Sequence, residues 1–179
     1  MDYLNTADLA SALDHVRDAL RDVGTLEMIV CRPDEGVRRV LERGELSVED
    51  GLVGDKWRTK SGASRAPDPE AQITVMNACY LGLIARERDR RALAGDQLCV
   101  DLDLSIEHLP AGSRLGIGAA EIEVSAQPHT GCSKFSSRFG GDALRLANSQ
   151  IGRDLRLRGL NAKVIEPGII RAGDTITKI

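Results

Sequence analysis

Ala94-Gly95-Asp96-Gln97-Leu98 has two relatives within the chain, Ala111-Gly112-Ser113-Arg114-Leu115 and Ala172-Gly173-Asp174-Thr175-Ile176. Gly54-Asp55 is a shorter echo. Glycine reaches backbone angles that other residues avoid, and Asp or Ser can hydrogen-bond the backbone close by, so each copy starts a strand from a tight turn. The spacing between copies is irregular, which excludes a solenoid. Many short strands restarted by such turns predict a small closed β-barrel, an architecture that removes exposed sheet edges.

Strand-like runs surround these turns: Thr25 to Cys31, Val37 to Leu41, Ile73 to Met76, Gln97 to Val100, Arg114 to Ile117, Ala120 to Ser125, Ala162 to Ile165 and Thr175 to Ile179. In Ala120 to Ser125 the alternation turns Ile122 and Val124 inward and Glu121 and Glu123 to water. Helices interleave. Leu9, Leu13, Val16 and Leu20 recur at helical spacing from a cap at Asn5 or Thr6 toward Gly24, a natural C-terminal stop. This predicts a helical appendage over residues 1–22 ahead of a barrel domain over 23–179. Asn77 can cap a second helix from Ala78 to about Leu93. Phe135, Phe139 and Leu146 also lie at helical spacing, but Gly140-Gly141 leaves one helix and two, the second capped by Asp142, equally open. The fold class is therefore mainly β with helices (α+β). Lys56 to Glu70 has almost nothing to bury and reads as a long surface loop, either a lid or a mobile insertion.

Composition limits the function. The net charge of −3 argues against a large nucleic-acid surface, and 3% aromatic residues leave few faces on which bases could stack. The most apolar window, Ala78 to Ala85, is too short to cross a bilayer, and no N-terminal apolar leader is evident, so a cytoplasmic protein is expected. The cysteines stand at 31, 79, 99 and 132 with no C-x-x-C pair, which points away from a zinc ribbon or a disulfide scaffold. Phosphate-loop, dinucleotide, G-x-S-x-G and H-E-x-x-H patterns are absent, and His15, His108 and His129 are scattered.

Cysteine chemistry remains. Cys31, Cys79 and Cys99 sit inside apolar patterns, where a buried structural role is the default. Cys132 lies in the loop Gln127-Pro128-His129-Thr130-Gly131-Cys132-Ser133-Lys134-Phe135, just before a helix start, with Lys134 and Arg138 close by. Helix N–H groups and cations favour a thiolate there. A reactive or metal-ligating Cys132 and a merely structural one are both consistent with these features. His129, three residues earlier, could serve as base or ligand, or only shape the turn.

The chain also resembles a known family. Gly51-Leu52-Val53-Gly54-Asp55-Lys56 is similar to the G-L-x-G-D-(basic) signature of MOSC domains, named for the C-terminal domain of molybdenum-cofactor sulfurase. Gly95-Asp96-Gln97-Leu98, Leu109-Pro110-Ala111-Gly112-Ser113-Arg114-Leu115, Pro128 with Cys132, and Arg171-Ala172-Gly173-Asp174 follow in the family's order, so the resemblance spans about Val23 to Ile179. It implies a compact β-barrel with a few helices. It also implies that Cys132 either ligates the molybdenum of a bound molybdenum cofactor (molybdopterin) or carries activated sulfur.

On that resemblance, Cys132 is the catalytic thiol and the metal ligand; His129, taken into the catalytic set from the loop itself and not from a family motif, supports it. Asp55, Lys56, Arg58, Thr130, Lys134 and Arg138 would contact the cofactor, Arg58 and Arg138 being inferred from chemistry and not from a motif. Trp57 stands where family members often have His, so the pocket rim would differ. The extra N-terminal β-domain of amidoxime-reducing members and a pyridoxal-phosphate desulfurase module are not expected. The implied activity is reduction of N-hydroxylated small molecules, with electrons from a redox partner, or sulfur transfer to the cofactor. A non-catalytic carrier that delivers cofactor or sulfur to a molybdoenzyme is the alternative, and neither nucleic acid nor membrane is an expected partner.

Overall fold

The computed structural model describes residues 3–11, 13–18, 22–58 and 67–179. Eleven strands form two sheets: β1 (Val23–Cys31), β2 (Arg39–Leu41), β3 (Arg43–Ser47), β4 (Gly51–Leu52), β5 (Ile73–Asn77), β6 (Leu98–Asp101), β7 (Arg114–Ile117), β8 (Ala120–Val124), β9 (Leu160–Glu166), β10 (Gly168–Arg171) and β11 (Thr175–Lys178). The larger runs β11-β7-β8-β9-β5-β6-β1 and closes on itself through β11–β1, with β2 attached to β1. Every pairing is antiparallel except β5–β6. A small sheet, β10-β3-β4, adjoins the barrel. The repeated turn performs as its chemistry dictates: Gly95, Gly112 and Gly173 have φ of +81°, +87° and +95°, and β6, β7 and β11 begin within three residues of them.

Alternation decides what each face meets. Ala120, Ile122 and Val124 of β8 are buried while Glu121 and Glu123 are partly exposed, as their spacing predicts. β5 is buried on both faces: Ile73 and Val75 join the barrel core with Leu26, Ile29, Leu98 and Ile122, whereas Met76 joins a second core under the helices. A loss of about 2–5 kcal/mol is the usual consequence of truncating such a Leu or Ile to Ala. Polar side chains stitch the closed wall. Gln97, fully buried, accepts from the N–H (2.8 Å) and hydroxyl of Thr74 and donates to the Gln72 carbonyl at 3.1 Å. Gln72 in turn accepts from Val164 N–H at 2.8 Å.

The helices α1 (Thr6–Ser11), α2 (Leu13–Arg17), α3 (Ala78–Ala85), α4 (Ser133–Phe139), α5 (Gly141–Asn148) and α6 (Gln150–Asp154) layer over one wall. Leu9, Leu13 and Val16 are buried among Tyr80, Leu81, Phe135, Phe139 and Leu146. Leu20 lies outside the described residues. Gly24 does not end a helix: it lies in β1 opposite Ile176, where ladder pairing overrides the local stop signal. A Cβ on Gly24 would sit 1.9 Å from the Asp101 carbonyl oxygen, so the close approach of the end of β6 demands glycine.

The helix capped by Asn77 is shorter than its periodicity predicts. It ends at Ala85, Arg86 turns to φ +61°, and a 3-10 turn over Arg88–Ala94 leads into Gly95. The chain must double back so that β6 can lie parallel to β5. After Cys132 there are two helices joined at Gly140, φ +94°, with Gly140 as the cap and Asp142 in the first turn, and then α6, which the pattern did not mark. The middle of the Lys56 to Glu70 loop lies outside the described residues. At its end a 3-10 turn, Pro69–Ala71, is capped by Asp68, which accepts from Glu70 N–H at 3.0 Å. Among the described residues no helix is long and apolar enough to cross a membrane.

Candidate functional site

Cys132 is the N-cap of α4 and is exposed, while Cys31 and Cys99 are buried and Cys79 is half-buried; all four are free thiols. The loop that carries it is tied at both ends. Asn161 Nδ2 donates to the Gln127 carbonyl at 3.2 Å, and Asn148 accepts from Gly131 N–H at 3.0 Å and donates to Gly131 O at 3.3 Å. Partial burial alone would raise the Cys132 thiol. The N–H groups of Phe135 and Lys134 and the cations Arg158 and Arg138 outweigh that, so its pKa lies below the ordinary thiol value. Burial pushes the Cys31, Cys79 and Cys99 thiols up, and nearby carboxylates push the same way. One cysteine in four is therefore both reachable and biased toward thiolate.

A cavity of about 230 Å³ opens beside α4, lined among the described residues by Arg32, Arg38, Lys56, Lys134 and Arg138, with Glu35 the one carboxylate among them. Its cations are held from different elements. Arg138 donates to the Leu93 carbonyl at 2.7 Å, and Lys134 meets Glu35 at 3.3 Å. Arg32 is clamped by Asp55, which accepts from its N–H, Nε and Nη2, each at 2.8 Å, and Arg32 also donates to Gly95 O at 2.9 Å. Arg38 Nε is buried with no acceptor among the described residues, and burial together with Arg138 and Arg32 lowers its pKa. Crowding of like charges around a hollow is unfavourable in the empty protein and is relieved by an anion.

Behind Cys132 stands a buried ion cluster. Asp96, 4% exposed, takes two bonds from Arg158 Nη1, at 2.8 and 2.7 Å, and one from His129 Nε2 at 2.8 Å. Burial alone would raise the Asp96 carboxyl, but Arg158 and His129 hold it well below the usual carboxylate range. An ionised carboxylate only accepts, so His129 Nε2 carries the proton. The Arg158 guanidinium lies over the Phe135 ring, 5.0 Å from its centroid, which links this cluster to α4.

The predicted site residues separate accordingly. Lys56, Lys134 and Arg138 line one cavity. Asp55 is not free to contact a cofactor: it is buried, and its oxygens are committed to Arg32 and to Trp57 N–H, so it positions Arg32. Arg58 does not reach the cavity, because Glu49 and Asp50 hold it at 2.7 and 3.0 Å. Thr130 lines a different recess. His129 bonds Asp96 and makes no hydrogen bond with Cys132 among the described residues, so it acts as a brace for the loop. Trp57 is buried and forms no part of the rim. Arg32, Arg38 and Arg158 were not legible, since no motif flags an isolated arginine, and Asp96 read only as a turn residue. Among the described residues no group of three or more His, Cys, Asp or Glu side chains is placed to hold a metal ion.

Comparison with curated proteins returns no significant sequence match. Solved structures share the fold. The YuaD protein of Bacillus subtilis superposes with a TM-score of 0.63 at 17% identity, covering 86% of this chain and 94% of that one. YiiM from Escherichia coli superposes with a TM-score of 0.54 at 22% identity, covering 87% and 69%. YiiM from Geobacillus stearothermophilus gives 0.55 at 15% identity, covering 90% and 74%. The model of the MOSC domain matches residues 63–177, well over half of the chain. With the closed mixed barrel and the Cys132 turn in place, that match establishes that the chain belongs to the MOSC domain family.

Proposed function

We propose that this protein binds a molybdenum cofactor, with the Cys132 thiolate as the protein's ligand to molybdenum and the cationic cavity as the seat of the cofactor's anionic end. The observation that carries this reading is an exposed, acidified thiol at the start of α4, outside the cavity lining but two residues from Lys134, which with Arg32, Arg38, Lys56 and Arg138 supplies the cations of that lining. A soft sulfur donor suits molybdenum. Guanidinium and ammonium donors suit phosphate, and the orphaned Arg38 Nε–H is a donor that a phosphate oxygen would satisfy. A single protein ligand fits a metal that arrives with its other donors on the cofactor.

Bound there, the group would supply redox chemistry suited to reducing small N-hydroxylated compounds with electrons from a redox partner. The chain's own part is positional. Cys132 anchors, Lys56, Lys134 and Arg138 clamp, Asp55 aims Arg32, and the Asp96–Arg158–His129 cluster keeps the loop and its field fixed. Such a protein would work in the cytoplasm on small molecules, without nucleic acid or membrane. Metal analysis of protein purified from cells with intact cofactor synthesis tests this: molybdenum is expected in the wild type and lost in Cys132→Ala. Molybdenum in neither would sink the reading.

The exposure of Cys132 also favours a second role, in which it bears a persulfide or presents the cofactor to a molybdoenzyme. Molybdenum retained without reductase activity on hydroxylamine-type substrates, across several electron donors, would select the carrier role.

A further inference from the structure

A second recess, of about 340 Å³, is walled by the 127–130 loop, α6 and the start of β9. Among the described residues it shares no lining residue with the cationic cavity. Two polar side chains on its wall are buried and unsatisfied. Ser125 is 5% exposed and its Oγ has no hydrogen-bond partner among the described residues, although its backbone N–H is fixed on the Asn161 carbonyl at 2.9 Å. Arg158 is 8% exposed; its Nη1 serves Asp96, and its Nε is buried with no acceptor. Native proteins leave few such groups unpaired, and two on the wall of one hollow are an unmet demand.

The chemistry of that demand is specific. Arg158 Nε–H can only donate, so it lacks an acceptor oxygen, and the Ser125 hydroxyl can donate to one as well. Arg153 lines the same recess as an exposed cation with no ion pair among the described residues. The carboxylate on the wall, Asp154, already accepts from Gln150 at 2.9 Å. Ile106, Ala147 and Leu160 supply apolar surface. A bare inorganic anion would leave that surface unused, and an apolar guest would leave Arg158 and Ser125 unsatisfied.

We propose that this recess is a binding site for a small organic carboxylate, its oxygens held by Arg158 and Ser125 and its apolar body lying on Ile106, Ala147 and Leu160. The volume is near the lower end for small-molecule pockets, roughly 300–1,000 Å³, and suits a guest the size of one ring. The inference does not depend on the cofactor reading: Arg158 belongs to both arguments, but Ser125 and Arg153, which test this one, line no part of the cationic cavity among the described residues.

Benzoate is the probe, titrated into the isotope-labelled full-length chain and followed by amide chemical shifts. Saturable shifts are expected at Ser125 to Thr130 and Arg153 to Leu160. Ser125→Ala and Arg153→Glu should each weaken binding several-fold, and both should fold, because one loses an unpaired hydroxyl and the other is exposed. Lys134→Ala should bind as the wild type does. Benzyl alcohol, of similar shape without the charge, should not saturate over the same range. The proposal is overturned if no saturable shift appears, if shifts centre on Lys56 and Lys134, or if benzyl alcohol binds as well. It is equally overturned if inorganic phosphate displaces benzoate more effectively than benzoate binds, or if both pocket variants retain wild-type affinity.

Discussion

Asp96 and Asp174 hold the same place in two copies of one turn, yet they have different work. Asp174 accepts from Arg171 N–H at 2.7 Å, and its turn docks on β1 through Leu26 N–H to Asp174 O at 2.8 Å. That is local carpentry at the barrel seam. Asp96 does not cap its own turn; it is buried, faces Arg158 and His129, and stabilises the charge cluster behind Cys132. A turn motif specifies a backbone path. What its side chain then does depends on the partner that the fold delivers.

The largest effect should come from Asp96→Ala, which strands Arg158 in a buried position. Breaking a buried pair from one side costs about 3–5 kcal/mol, measurable by urea denaturation. A loss no greater than that of Asp174→Ala would break the comparison. The pH dependence sharpens it. Because the folded Asp96 carboxyl is depressed, its contribution is complete above the unfolded value of about 4 and is lost as pH falls through the lower folded value. The stability gap between wild type and Asp96→Asn should be widest near neutrality and narrow steadily below about pH 4.

Asp55 is the intermediate case, a Gly-Asp turn whose carboxylate clamps a site arginine. Asp55→Ala should cost about 2–3 kcal/mol, less than Asp96→Ala because Arg32 keeps some exposure to water. Asp174→Ala, which removes one part-exposed bond to a backbone N–H, should cost about 1 kcal/mol. The smallest effect is on the thiol. Iodoacetamide should label Cys132 before Cys99, and Arg138→Gln should move the midpoint of the Cys132 pH–rate profile upward, since it removes one of the cations that lower it. Asp174→Ala should leave that profile unchanged; a shift there would mean that the two turns are not functionally separate.

Much of the barrel was legible because its signals are local. The strand at Ala120 to Val124 and the turns at Gly95, Gly112 and Gly173 follow from alternation and from glycine's backbone freedom. The Cys132 loop stood out because one thiol sat among turn formers and cations. The errors arose where a local signal met a distant demand. Gly24 looked like a helix stop and became a strand residue paired with β11, at a point where the end of β6 comes too close to admit a side chain. Arg58 looked like a site cation and is held elsewhere by Glu49 and Asp50.

By itself the sequence determined the turns, the strands of the larger sheet in their order along the chain, the family signature and the one cysteine that stands in a loop; the small sheet of β3, β4 and β10 it did not mark. Each is written in a few adjacent residues, whose dihedral preferences and polarity do not wait for the rest of the fold. Only the tertiary structure decided the order of strands around the barrel, the pairing of Asp96 with Arg158 across 62 residues and of Glu35 with Lys134 across 99, and the two separate recesses near the Cys132 loop. Charge pairing is long-range and unspecific in residue type, so any arginine can serve any carboxylate until the barrel closes and leaves one within reach.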